Sequence, residues 1–233
     1  MTVEGSTLEV NFVFKDAQGN VITPEDGAQV DYYVTTSEAG VEIAARQAGI
    51  PQERVLPLGM PRTDKYFGKS KGDGGTELAD CRRAYLFAPS FRASWWEPPM
   101  PEIDWARIDD LLEPGEELFV KRHMCSGERL VDGSYARITE LSPDVPSGPY
   151  VIDCDVLATD FSSILFDGYV LGKPSVLTAD MDDPYLETRG MYSRYPGEYG
   201  SRFLSVQGNE DKFLMHLRAA CESGMRHAER ACL

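Results

Sequence analysis

The stretch Asp160-Phe161-Ser162-Ser163-Ile164-Leu165-Phe166-Asp167 leaves a short apolar run and enters a helical pattern. Two adjacent hydroxyls at a helix start, beside amides that have no partner within the helix, make a cradle for phosphate, and the helix dipole favours an anion there. The same residues also fit an ordinary N-cap, with Ser162 or Ser163 accepting from a first-turn amide. Asp167 lies four residues beyond Ser163 and so on the same helical face, where it can meet a ligand hydroxyl or stand as a solvated acid. His123 closes another apolar run behind Lys121 and Arg122. Two neighbouring cations lower an imidazole pKa and favour the neutral ring, which can take a proton or bind phosphate; a structural histidine fits the position equally. Arg62 and Arg92 follow two further runs, and Arg189 stands in Tyr185-Leu186-Glu187-Thr188-Arg189-Gly190. Residues 180–183 carry three carboxylates in four positions, suited to a divalent cation with a nucleotide diphosphate or to a plain acidic loop. His-x-x-x-His, EF-hand and P-loop patterns are absent, so the reading assigns neither a metal nor a cofactor.

These residues need elements to hold them. Strand candidates cover 32–35, 54–58, 84–88, 118–123, 136–141, 156–159 and 175–178; helix candidates cover 38–48, 105–112, 163–171 and 210–229. Strands alternating with helices imply crossover units, hence an α/β fold whose Rossmann-like parallel sheet has helices on both faces. Residues 1–30 contribute one alternating run, 8–14, before a Gln18-Gly19-Asn20 turn, and are read as an N-terminal extension to a domain covering 31–233. In such a sheet the ligand sits beyond the carboxyl ends of the strands. The residues found there include Arg62, Arg92, Lys121, Arg122 and His123, a concentration of cations that suits an anionic small molecule.

The composition narrows the partners. The chain has 233 residues, with 23 Lys and Arg against 38 Asp and Glu, a formal net charge of −15. A surface this acidic argues against a general nucleic-acid binder, which needs a wide positive face. Hydrophobic residues at 42% are enough for a packed core. The five cysteines include no Cys-x-x-Cys pair, and with no apolar run long enough to span a bilayer and no leader-like start, the reading is a reduced, cytosolic chain.

Taken in order, Gly59-Met60-Pro61-Arg62-Thr63-Asp64, Ala88-Pro89-Ser90-Phe91-Arg92, Arg122-His123, Ala158-Thr159-Asp160-Phe161-Ser162-Ser163-Ile164-Leu165-Phe166-Asp167, Gly172-Lys173-Pro174 and Arg189-Gly190 resemble the CDP-glycerol glycerophosphotransferase family, the teichoic acid primases and polymerases. Ser90 and Phe161 depart from the usual threonine and tyrosine but keep the polarity or the ring. The resemblance implies the C-terminal, donor-binding half of a GT-B fold, and transfer of glycerol phosphate from CDP-glycerol to a teichoic-acid-type polymer at the inner membrane face. By position it gives donor phosphate to Ser162, Ser163, Arg92 and Arg189, the nucleotide or glycerol end to Arg62 and Asp167, and a place beside the reacting groups to His123. The family's N-terminal half carries a His-Gly-Thr segment with the presumed catalytic base, whereas here no histidine precedes His123. The expectation is therefore a donor-binding half, either a fragment or a chain that needs a partner for its other half, with a non-catalytic nucleotide module or a sugar-nucleotide glycosyltransferase as alternatives.

Overall fold

The computed structural model describes residues 31–90, 92, 102–123, 129–178 and 205–231. The expected N-terminal strand, the acidic stretch 180–183 and Arg189 lie outside them. Near the start, β1 (Tyr33–Val34), α1 (Val41–Ala48) and β2 (Val55–Leu56) form a small unit in which the two strands pair in parallel. Its own core gathers Ala44, Ala45, Ala48, Ile50 and Val55. These strands do not join the larger sheet as the sequence reading expected; they form a sheet of two.

The larger sheet has five parallel strands in the order β5-β4-β3-β6-β7. They are β3 (Arg83–Phe87), β4 (Glu116–Lys121), β5 (Ile138–Leu141), β6 (Val156–Thr159) and β7 (Ser175–Leu177). Register puts Ile138, Leu118, Tyr85 and Val156 side by side in one row and Phe119, Leu86 and Leu157 in the next. Successive side chains leave opposite faces of a strand, so these rows feed two separate cores. On one face α2 (Trp105–Leu111) and α5 (Glu210–Ala231) cover Tyr85, Phe87, Leu118, Val120 and Val156. On the other, Val151 of α3 (Ser147–Asp153) and Ile164 of α4 (Ile164–Val170) pack on Leu86, Phe119 and Leu157. The expected helices on both faces are present. Burial on both sides also explains why the central strands β3, β4 and β6 read as apolar runs rather than as alternating ones.

Local sequence sets the boundaries. Asp104 caps α2 by accepting from the Arg107 amide at 2.9 Å. Phe87 then meets α2 through Trp105 and α5 through Phe213, with ring centroids 6.4 and 5.7 Å apart. α3 is not among the helices expected from sequence, and it contains Gly148 and Pro149. Both fall in its first turn, where proline loses no hydrogen bond that the helix needs.

A buried carboxylate fastens α5 to the sheet. Glu116 takes its ion pair from Arg218 of α5, a second from Arg83, and hydrogen bonds from the Tyr85 hydroxyl and the Glu113 amide. Burial pushes its pKa up, but these donors outweigh burial and hold the carboxyl down at about 2, from an ordinary 4.5. A group depressed in the folded state contributes stability that is complete above the unfolded pKa and is lost as pH falls through the folded one. Across that interval the contribution is about 3 kcal/mol. In urea titrations the wild-type chain should therefore exceed Glu116→Gln by about this much at pH 7, with the gap closing toward pH 2. A gap that does not change with pH would show that the ion pairs do not depend on the charge of Glu116.

Candidate functional site

The connectivity fixes where a ligand can enter. From β3 the chain adds β4 and then β5 in one direction, then crosses to place β6 on the other side of β3 and β7 beyond it. The order reverses between β3 and β6, and the crevice outside the carboxyl ends of these two strands is the binding position of an open α/β sheet. The two loops that leave them are stitched together. Ala88 N–H donates to Ala158 O at 2.9 Å, the Thr159 hydroxyl donates to Ala88 O at 2.7 Å, and Ser90 N–H donates to Asp160 Oδ1 at 2.7 Å. Arg92 follows from the β3 side, half-buried, and Ser162 and Ser163 follow from the β6 side, also half-buried. Asp160 is 5% exposed; burial pushes its pKa up, while bonds from Ser90 and the charge of Arg92 pull it down.

The serines do not behave as the expected caps. Ser163 holds the N-cap position of α4 but has helical dihedrals, φ −64° and ψ −9°, and its side chain makes no capping bond. A capping hydroxyl needs extended backbone to swing over the first turn. Ser162 Oγ receives only a long bond, 3.4 Å, from Ile164 N–H. The turn closes instead through backbone carbonyls, with Leu165 and Phe166 N–H donating to Ser162 O and Ser163 O at 3.3 and 3.1 Å. Both hydroxyls thus have little of their bonding capacity committed to the helix.

The cations expected around the crevice are largely engaged within the protein. Lys121 is buried at the end of β4, where its Nζ donates to the carbonyls of Arg122, Ser142 and Pro143 at 2.7, 3.2 and 3.3 Å. Burial and Arg122 lower its pKa. It ties β4 to the loop after β5 rather than facing a ligand. Arg122 pairs with buried Glu140 at 3.3 Å, which Arg129 also meets at 3.2 Å. His123, half-buried, stands just past β4, one strand over from the β3 loop. The sequence reading missed Glu140 as the sink for these charges; its place in an alternating edge strand gave no sign of burial.

Arg62 and Asp167 come together. The 3-10 segment Pro61–Tyr66 follows the small unit and lies against α4, placing Arg62 Nη2 3.0 Å from Asp167 Oδ1 and the Tyr66 hydroxyl 3.3 Å from Oδ2. Asp167 is 4% exposed, and burial raises its pKa against the pull of Arg62 and Tyr66. Burial and Asp167 together drive the Tyr66 pKa to about 12. Gly148 permits this approach. A Cβ there would sit 3.0 Å from Lys65 Nζ and 3.1 Å from the Tyr66 hydroxyl. Neither Tyr66 nor Gly148 was singled out from sequence, because only the folded chain brings residue 148 next to residue 66. Among the described residues no group of three or more His, Cys, Asp or Glu side chains could hold a metal ion, and no helix is long and apolar enough to cross a membrane.

Comparison with known proteins now decides the family. The family model for CDP-Glycerol:Poly(glycerophosphate) glycerophosphotransferase matches residues 14–229. The chain belongs to this family. It is 27% identical over 197 residues to the teichoic acid ribitol-phosphate polymerase TarL of Staphylococcus aureus, covering 76% of this chain and 35% of that protein. It is 26% identical over 169 residues to the teichoic acid glycerol-phosphate primase of Bacillus subtilis, covering 71% and 44%. The chain thus spans less than half the length of these curated relatives. Its fold is similar to that of the wall teichoic acid polymerase TagF, with a TM-score of 0.68 at 17% identity, covering 97% of this chain and 59% of that one. A variant of TagF soaked with CDPG aligns with a TM-score of 0.64 at 17% identity, covering 96% and 60%.

Because neither serine makes a strong cap, the double variant Ser162→Ala, Ser163→Ala should cost less than about 1 kcal/mol and leave the melting temperature within a few degrees of wild type, as calorimetry can check. A drop well beyond that would mean that the hydroxyls hold α4 in place after all.

Proposed function

We propose that this chain is the donor-binding part of a glycerophosphotransferase, corresponding to the C-terminal half of a GT-B fold, and that the crevice between β3 and β6 holds the diphosphate of a CDP-activated polyol phosphate. The observation that carries this reading is the pair of half-buried residues Ser162 and Ser163, whose hydroxyls are barely used by the helix, at the point where strand order reverses and on the loop tied to the one that bears Arg92. Membership of the family supplies the donor class, and the TagF variant soaked with CDPG agrees with it. On this reading Ser162 and Ser163 donate hydrogen bonds to phosphate oxygens and Arg92 offers its planar fork to the same group, with Arg189 as a second clamp. Arg62 is 37% exposed even while paired. It keeps N–H groups for the glycerol or nucleotide end, and Asp167 fixes its direction.

The chemistry asked of such a site is modest. An acceptor hydroxyl attacks the phosphorus that carries glycerol, one P–O bond forms, the bond to the bridging oxygen breaks, and CMP leaves with the electron pair. Positioning and neutralisation of the spreading charge carry most of phosphoryl transfer. His123, at the neighbouring strand end, can hydrogen-bond phosphate or take the acceptor's proton. The proposed setting is the cytoplasmic side of the membrane, where a teichoic-acid-type polymer would be the acceptor. The acceptor side of the cleft, whether on the same polypeptide or on a partner chain, is proposed to correspond to the part of the relatives that these alignments do not cover.

Calorimetric titration with CDP, CDP-glycerol, CDP-ribitol and UDP tests the reading. CDP and at least one CDP-polyol should bind, and the Ser162→Ala, Ser163→Ala variant should lose roughly 2 to 4 kcal/mol of that affinity, the worth of two hydrogen bonds to charged oxygens. Arg92→Lys should weaken CDP while leaving cytidine unchanged, since lysine does not reproduce the fork. No affinity for any of the four nucleotides would remove the assignment.

A further inference from the structure

We propose that Lys121 is a positioning residue for His123, its ammonium setting the strand-end peptide from which the imidazole meets the donor phosphate; this rests on the donor-site reading above. From sequence Lys121 reads as one more cation for an anionic ligand. In the structure it ends β4, opposite Leu141 at the end of β5, and is 7% exposed. Pairing between the two strands stops there, and the side chain continues the tie. Nζ donates to Arg122 O at 2.7 Å, in the peptide that joins Arg122 to His123, and to Ser142 O and Pro143 O at 3.2 and 3.3 Å on the loop after β5. An ammonium has three N–H donors, and backbone carbonyls take all of them. Among the described residues no carboxylate pairs with it; Asp144 favours the ammonium only through its charge, against burial and Arg122.

A buried cation with no paired acid is a costly way to fill space, since neutral carbonyls must make up for the water it leaves. What it supplies in return is convergence. One atom draws together carbonyls from two loops, and no neutral side chain carries as many donors on a single atom. The side chain of Arg122 is held separately by its ion pair with Glu140 at 3.3 Å, and that carboxylate also accepts the amides of Leu130 and Val131 at 3.2 Å. Residue 122 is therefore fixed at both its carbonyl and its side chain, and the next backbone atom is the nitrogen of His123. A histidine that starts from a fixed peptide loses less freedom on meeting phosphate, and a misplacement of about 1 Å at such a group is strongly felt. Lys121 could instead act by charge alone, drawing a diphosphate toward the sheet edge. The two modes differ in what they ask of His123: a charge acts on CDP whether or not the imidazole is present, whereas a positioning residue acts only through it.

Affinities for CDP and for cytidine are to be measured by titration with wild type, Lys121→Met, His123→Ala and the double variant. Lys121→Met keeps the length of the side chain and removes its donors. It should bind CDP about tenfold more weakly, as for one hydrogen bond to a charged oxygen, and cytidine within about twofold of wild type. In the His123→Ala background the same change should weaken CDP by less than about twofold, because the contact it sets is already gone. Losses that add in the double variant would assign Lys121 a charge effect and overturn the proposal, as would equal losses for CDP and cytidine or none for either. With three histidines in the chain, the wild type also gives a direct reading by NMR. The imidazole signal that disappears in His123→Ala should shift when CDP is added to wild type and stay in place when cytidine is added. CDP that binds without moving that signal would overturn the proposal and leave the donor site standing, even where Lys121→Met fails to fold. Lys121→Arg is a second variant, which keeps a cation but spreads its donors over a planar fork. It should also bind CDP more weakly, and an affinity equal to wild type would show that charge alone suffices. A wild-type chain with no affinity for CDP would instead remove the donor-site reading, and this proposal with it.

Discussion

The carboxyl ends of β3 and β6 lie next to one another, and the rest of the site depends on that contact. Parallel pairing brings Phe87 opposite Ala158, and beyond it three hydrogen bonds carry the register into the loops, from Ala88 N–H, the Thr159 hydroxyl and Ser90 N–H. A parallel sheet forces each loop to leave at the same edge, and the reversal of strand order makes the two central loops diverge over opposite faces. The gap between them is therefore lined by residues immediately after a strand, whose backbone is already fixed. Ser162 and Ser163 inherit their position from Thr159, which is fully buried, and Arg92 inherits its position from Ser90. Rigid donors of this kind lose little entropy on meeting a ligand, so a small number of them suffices.

The same architecture is held by buried acids. Glu116 fastens α5, Glu140 gathers Arg122 and Arg129, and Asp167 receives Arg62 and Tyr66. Asp153, fully buried at the end of α3, accepts the amides of Gly72, Gly74 and Thr76 and the Thr76 hydroxyl, all at 2.8 to 2.9 Å, and so shapes the glycine-rich loop before β3. Each carboxylate accepts several short bonds, which offsets the cost of taking it out of water. Four of the 38 Asp and Glu residues thus serve the structure in this way. They leave fewer cations facing solvent than a count along the sequence suggests.

How far the sequence could be read follows from this. The central strands of the main sheet were legible because burial on both faces writes itself as an apolar run, Ala84 to Ala88 and Val156 to Ala158 being the clearest. The candidate crevice could be sought at strand ends, because the residues that follow each apolar run can be counted, but the reversal of strand order between β3 and β6 could not be read. What stayed hidden depends on contacts between distant residues. Lys121 and Arg122 looked like ligand cations because nothing in their neighbourhood shows that Ser142, Pro143 and Glu140 will surround them. The serines looked like caps because sequence gives the residue type and not its dihedrals. The separate pairing of β1 with β2 was invisible for a similar reason: two short β-rich runs flanking a helix read as one more crossover unit, and whether their edge meets the main sheet is decided by tertiary packing.

On the proposed reading, a diphosphate approaching a protein of net charge −15 meets repulsion from its surface. At physiological ionic strength that repulsion is screened beyond about 8 Å, so it slows approach more than it weakens a ligand already in the crevice. Within that distance, short-range donors decide. Hydroxyls and amides bring no net charge and need no counter-ion within the fold, unlike arginines, which an acidic protein must either pair or leave exposed. Pairing is what happens to Arg62 and Arg122, and it removes them as free attractors while keeping their direction fixed. If the proposed donor site is right, phosphate recognition by this chain is built from a few groups locked by the sheet rather than from a positive field, and its selectivity should rest on geometry at the β3 and β6 ends more than on charge.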